Sequence, residues 1–225
     1  MLMTMDFTKF ACTALLVIGG AVPNSHAQSP AVSGRVEIQD KKGRAADVDE
    51  ALVWLEGAGS VPAAKRVEVL TEDKAFVPRI TIVPIGSTVA FPNHDPFDHN
   101  VFSTSGPKVF DLGLYGRNQT RTVTFEAAGL ARIYCNVHAR MAAFVLVQNT
   151  PFATRPDKGG RFAFDGVPAG TYTLRVWHER GGERSMPVSI PLATDLVVAL
   201  DARSYTFVQH LDKNGKSYDA RGRRY

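Results

Sequence analysis

Ala131-Arg132-Ile133-Tyr134-Cys135-Asn136-Val137-His138-Ala139-Arg140-Met141-Ala142-Ala143-Phe144-Val145-Leu146-Val147-Gln148 is the stretch from which the architecture can be read. Its two flanks, 131–135 and 143–148, are short β-branched and apolar runs of the kind that form strands. Between them lies a short loop carrying Cys135, His138 and Met141. Steps of three residues let all three side chains point inward, so a loop between two paired strands can wrap a single ion at its apex. Outward in both directions the same texture continues: brief alternating runs broken by Gly, Pro, Asn and Asp. Strands are expected at 33–39, 51–55, 66–70, 79–83, 88–91, 100–102, 108–112 and 120–125, and after the quoted stretch at 161–164, 171–178, 185–190 and 196–200. One helical turn is expected around 47–51, and no longer segment carries a helical period. The chain is therefore read as all-β.

His99, in Asp98-His99-Asn100-Val101, supplies a second imidazole from a separate strand. A thiolate, two imidazoles and a thioether are the ligands of an electron-transfer copper site. The metal candidates are thus His99, Cys135, His138 and Met141. Taken alone, Cys135 would read as a small buried hydrophobe; its spacing to His138 and Met141 reverses that. His94 competes with His99 but sits among acidic neighbours and reads as exposed. Met141 and Met186 are the only methionines beyond the N-terminal segment, so one placed on this loop is informative. His178 and His210 read as structural or solvated. A nucleophilic cysteine would need a base oriented by a third group, and the nearest histidine is committed by spacing to the same metal, so no enzyme is expected. A structural zinc site is disfavoured by the single thiolate.

The first residues read as a secretory leader: a short start with one lysine, an apolar run from Phe10 to Ala21, and Ser25-His26-Ala27 as the cleavage site. The apolar run falls well short of the ~20 residues that a membrane span needs. Cleavage after Ala27 would take Cys12 away and leave Cys135 as the sole cysteine of a periplasmic or secreted chain, with no internal disulfide. The net charge of +4 is concentrated near the end, at Lys213, Lys216, Arg221, Arg223 and Arg224. Residues 203–225 are read as a solvated basic tail, with an acidic partner protein as the alternative. No basic stripe interleaved with aromatics points to nucleic acid, and no segment to an integral membrane protein.

Size constrains the organisation. The strands of residues 30–60 and of 150–202 are too few, taken separately, to bury a core. Together they make one sandwich, with residues 64–149 inserted into it. Ser33-Gly34-Arg35-Val36, Ala51-Leu52-Val53-Trp54-Leu55 and the run from Gly160 to Leu174 resemble the strands of carboxypeptidase regulatory-like, transthyretin-like sandwiches. That resemblance implies an Ig-like β-sandwich and little about activity.

Phe76-Val77-Pro78, Pro84-Ile85-Gly86-Ser87-Thr88-Val89, Phe91-Pro92-Asn93, His99-Asn100-Val101, Gly129 and Tyr134-Cys135 through Met141 are similar to the blue copper proteins of the cupredoxin family, amicyanin and plastocyanin. The resemblance implies a Greek-key β-sandwich holding one type 1 copper ion through His99, Cys135, His138 and Met141. It also implies an electron carrier with a redox partner protein, and an Asn100 that ties the two ligand loops together by hydrogen bonds. The chain departs from the family in having Val137 and Ala139 where proline is frequent, and Arg140 before the axial ligand. A cation there is expected to raise the potential and to help select an acidic partner. Copper sequestration or delivery is the competing expectation; another is an interaction module in which the metal only staples the insert.

Overall fold

Strand β12 (Ala142–Gln148) explains the arrangement of the whole molecule. Successive side chains of a strand point to opposite faces, and here both faces are apolar. Ala143, Val145 and Val147 enter one core, while Phe144 and Leu146 enter another. Strands β2 (Leu52–Glu56) and β15 (Gly170–His178) behave alike: Val53, Leu55, Leu174 and Val176 face a third core, and Leu52, Trp54 and Trp177 face back toward Phe144 and Leu146. Strands with buried apolar residues on both faces mark the seam where two sandwiches are pressed together. The rings of Phe144 and Trp177 lie 4.7 Å apart across it, each worth about 1.5–3 kcal/mol of burial. Arg79 caps the seam, pairing with Glu50 at 2.5 Å and with Glu179, its guanidinium over the Phe144 ring.

The computed structural model describes residues 31–43 and 47–218. The expected leader, Cys12, and the basic residues Arg221, Arg223 and Arg224 lie outside the described residues. The described chain is all-β. One sandwich pairs β1 (Val32–Gln39) with β14 (Arg161–Phe164) and, in parallel, with β17 (Leu196–Asp201). Its second sheet runs in the order β13 (Ala153–Thr154), β2, β15, β16 (Gly182–Ile190). Gly34 lets β1 lie close to its neighbours, since a Cβ there would stand 2.6 Å from the carbonyl oxygen of Leu196 and 2.8 Å from the Phe162 ring.

The chain leaves this sandwich after β2 and returns at β13, which pairs antiparallel with β2. Thr150 donates to the carbonyl of Ala58 at 2.8 Å, tying the outgoing and returning strands side by side. Between them the second sandwich forms. Its larger sheet runs β6 (Ile80–Pro84), β12, β11 (Gly129–Tyr134), β8 (His99–Ser103), β9 (Phe110–Tyr115). It faces β10 (Thr120–Thr124), β7 (Thr88–Pro92) and β3 (Arg66–Glu68) across a core that includes Phe91, Phe125 and Ile133. A short hairpin of β4 (Leu70–Glu72) and β5 (Ala75–Val77) completes it.

The structure differs from the sequence expectation in three strands and one turn. The run at 66–70 is broken at Val69 into β3 and β4. The hairpin partner β5 and the two-residue β13 carry too few residues for a periodic signal. The expected helical turn is a single 3-10 turn, Val48–Glu50. No helix among the described residues is long and apolar enough to cross a membrane.

Candidate metal centre

β8 and β11 lie side by side in the larger sheet, and each delivers one donor. His99 opens β8, and Cys135 follows the last residue of β11. The β8–β9 ladder slips between Asn100 and Phe102, a bulge of the kind found beside functional sites. Asp111 fastens it, accepting from the Asn100 side chain at 2.6 Å and from the Gly113 amide at 3.0 Å.

His99 Nδ1 stands 3.6 Å from Cys135 Sγ, and His138 Nδ1 stands 3.8 Å from the same sulfur. The three donor atoms lie within 4.8 Å of one another. His99 and Cys135 are fully buried, whereas His138 is half-buried. Met141 is buried in the same apolar cluster as Cys135. The ligand loop is closed by its own backbone: Cys135 N donates to Met141 O at 3.3 Å, and Met141 N to His138 O at 3.1 Å. Phe97 is set edge-on to both imidazoles, 5.3 Å from the His99 ring and 5.6 Å from that of His138.

Electrostatics at the sulfur run in two directions. Burial pushes the thiol pKa up; the backbone amides of Asn100, Val137 and His138 oppose this, Val137 N at 3.4 Å. A buried sulfur facing N–H groups and two imidazole nitrogens is prepared to hold negative charge once a cation replaces its proton. Burial likewise lowers the pKa of His99, against the pull of Asp95. His99 Nε2 meets Asp95 Oδ2 at 2.7 Å. Burial would raise the Asp95 carboxyl, but the amides of Lys74 and Asp73 and the His99 ring together lower it. An ionised Asp95 accepts the Nε2 proton, which leaves the Nδ1 lone pair facing the sulfur. The donor set therefore fits copper: one soft sulfur, two imidazoles and a neighbouring thioether.

Asp95 is the residue that sequence reasoning missed, although an acid four positions before a ligand histidine is a readable signal. With it, Cys135, His99 and Asp95 have the connectivity of a nucleophile, base and orienting acid. Cys135, however, is 0 % exposed, and its thiol is shifted up rather than down. Asn100 reaches from the His99 strand to the other ligand loop through its backbone amide, which faces the Cys135 sulfur, while its side chain bonds to Asp111 on β9.

The remaining histidines separate cleanly. His94 is exposed. His178 is buried beneath Arg180, whose amide donates to its Nδ1 at 3.3 Å. His210 is half-buried and takes the structural alternative: its ring stacks on Tyr134 at 4.3 Å and 20°. The tail around it rests on the ligand loop, and Arg140 turns outward to lie over Phe207.

No family model matches the sequence, and no curated protein matches it significantly. Among solved structures, the chain is similar to a Cu-containing nitrite reductase from Thermus scotoductus SA-01. The identity is 26% and the TM-score 0.35, over 39% of this chain and 23% of the reductase. It is also similar to a purple cupredoxin from Nitrosopumilus maritimus, at 23% identity and a TM-score of 0.33, over 36% of this chain and 99% of that one. A reduced amicyanin mutant matches at 22% identity and a TM-score of 0.35, over 44% of this chain and 99% of that one. Likenesses of this degree decide nothing about the chain, whose candidate site rests on its own side chains.

Proposed function

We propose that this protein is an exported copper-binding electron carrier, with His99, Cys135, His138 and Met141 as the residues that would hold the ion. The observation that carries the reading is the convergence of His99 Nδ1 and His138 Nδ1 on one buried sulfur, at 3.6 and 3.8 Å. Bound copper would supply a one-electron change between Cu(II) and Cu(I). The chain supplies rigidity. His99 is fixed by β8 and by Asp95, Cys135 by β11 and by three backbone amides, and the loop by its internal hydrogen bonds. Donors held this way need not rearrange when charge changes, which keeps the barrier to electron transfer low. His138, the half-buried ligand beside Phe97, would be the electron port. Burial of Cys135 supports a carrier over a cysteine enzyme. The sequence resemblance of the outer sandwich to carboxypeptidase regulatory-like modules supports a scaffolding role for it. Arg140 favours an acidic redox partner.

Delivery or sequestration of copper is the competing reading, and one experiment separates the two. The copper-loaded full chain is taken through repeated oxidation and reduction in a potentiometric titration, then mixed with an apo acceptor protein. The carrier reading expects superimposable cycles with copper retained throughout. Copper lost on each reduction, or handed to the acceptor within the mixing time, would establish delivery instead.

A further inference from the structure

The C-terminal segment was expected to be a solvated tail, and the structure sets it against the one loop that carries three candidate ligands. The Tyr218 hydroxyl donates to the carbonyl oxygen of Cys135 at 2.7 Å. Lys213 N donates to the Asn136 side chain at 2.9 Å. These two bonds hold the carbonyl of the ligand cysteine and the side chain of the residue after it. The direction of that peptide sets where the loop begins its turn toward His138. Two points are therefore held from outside the loop, in addition to the two hydrogen bonds the loop makes with itself.

The segment is anchored well enough to act as a support. His210 stacks on Tyr134, the residue before the ligand cysteine, and meets the Tyr218 ring edge-on at 5.3 Å. Lys213 Nζ pairs with Asp111, the carboxylate that also fastens the bulge beside His99. Asp212 is 2 % exposed and closes a turn of its own, accepting from the amides of Asn214 and Lys216 at 2.8 Å each. The guanidinium of Arg140, one residue before Met141, lies over the Phe207 ring. Between segment and loop lies a cavity of about 500 Å³ lined by Tyr134, Arg140, Phe207 and His210, so the contact is made at discrete points rather than by continuous packing.

We propose that residues 205–218 form a clasp whose Tyr218 hydroxyl is a positioning group for the Cys135–Met141 ligand loop, holding it in the metal-binding conformation. The proposal rests on the copper reading above. Ordering such a segment costs backbone entropy, and the loop it supports carries three of the four candidate ligands. The clasp acts through the loop; it places no side chain on the metal.

The test compares the full chain, Tyr218→Phe, and a chain ending at Ser204, each loaded with copper and challenged with an excess chelator. Thermal unfolding of the metal-free forms serves as the control for folding. A neutral hydrogen bond is worth about one decade or less in an equilibrium constant. Tyr218→Phe should therefore release copper about threefold to tenfold faster, and the shortened chain at least about tenfold faster. Both should show a displaced thiolate-to-copper absorption band and a shifted potential, with metal-free Tyr218→Phe still folded and its Tm lowered by no more than about 2–4 °C. A shortened chain that folds, releases copper at the full-chain rate and keeps the same band overturns the clasp. If the shortened chain does not fold, Tyr218→Phe decides alone, and an unchanged rate and band overturn it. A full chain that takes up no copper overturns the copper reading and the clasp together, which no result confined to the variants can do.

Discussion

Cys135→Ser is expected to abolish visible absorption and to weaken copper binding by more than about 100-fold, while leaving the sandwich folded. Loss of an outer partner of a metal ligand costs about 10- to 100-fold in affinity, and loss of the thiolate itself should exceed that. A serine hydroxyl stays protonated near neutrality and is a hard donor, poorly matched to copper in its reduced state. The site tolerates the exchange sterically, because Cys135 is fully buried in an apolar cluster and serine is slightly smaller. The Val137 amide, which stands 3.4 Å from the sulfur, gives the new hydroxyl a partner, so the metal-free protein should lose no more than about 1 kcal/mol. Copper titration followed by absorption, with thermal unfolding alongside, checks both halves. A coloured Cys135→Ser protein would remove the sulfur from the site.

Asp95→Ala should be the most damaging change outside the ligands, and it should act on stability and on the metal at once. Its carboxylate accepts three bonds: from His99 Nε2 at 2.7 Å, from Asp73 N at 2.8 Å and from Lys74 N at 3.0 Å. Asp73 and Lys74 form the β4–β5 turn with φ of 52° and 58°, a left-handed pair that normally calls for Asn-Gly. Here no glycine eases the turn, and the Asp95 carboxylate takes both of its amides. Truncation leaves the buried His99 Nε2–H without an acceptor and takes a charged partner from the two turn amides, at a cost of about 1.5–3 kcal/mol. It also frees the His99 ring to rotate or change tautomer, and copper affinity should fall about 10- to 100-fold. Asp95→Asn keeps an acceptor oxygen but removes the charge that favours the oxidised metal. Its stability loss should be about half as large, with the potential raised by roughly 60 mV for each tenfold change in relative affinity. Unfolding in urea and a potentiometric titration of both variants check this ordering. Equal stability of the two variants would show that an acceptor oxygen without its charge holds nothing, and Asp95→Asn as stable as the unsubstituted chain would show that the charge is irrelevant.

These two residues also show what the sequence could and could not reveal. The ligand loop was legible because its chemistry is local: Cys135, His138 and Met141 are three apart and flanked by recognisable strands. His99 was legible as an imidazole before Asn100 and Val101. The seam between the sandwiches could have been read from β2 and β12, whose apolar residues continue on both faces where one-sided burial would alternate. The β4–β5 hairpin could not, because its turn lacks the expected glycine and is stabilised by an acid more than twenty positions away. The clasp was illegible for a similar reason. Residues 205–218 have the composition of a solvated tail, and what orders them is a set of long-range contacts: one tyrosine hydroxyl, one amide and one stacked imidazole.

The most direct measurement is X-ray absorption at the copper edge on the loaded full chain, together with its electron-spin spectrum. Sulfur and imidazole nitrogens should both appear among the nearest neighbours of a single copper ion, with strong electron delocalisation onto the sulfur. A shell of oxygen and nitrogen alone, at any copper loading, would show that Cys135, His99 and His138 meet in space without sharing a metal.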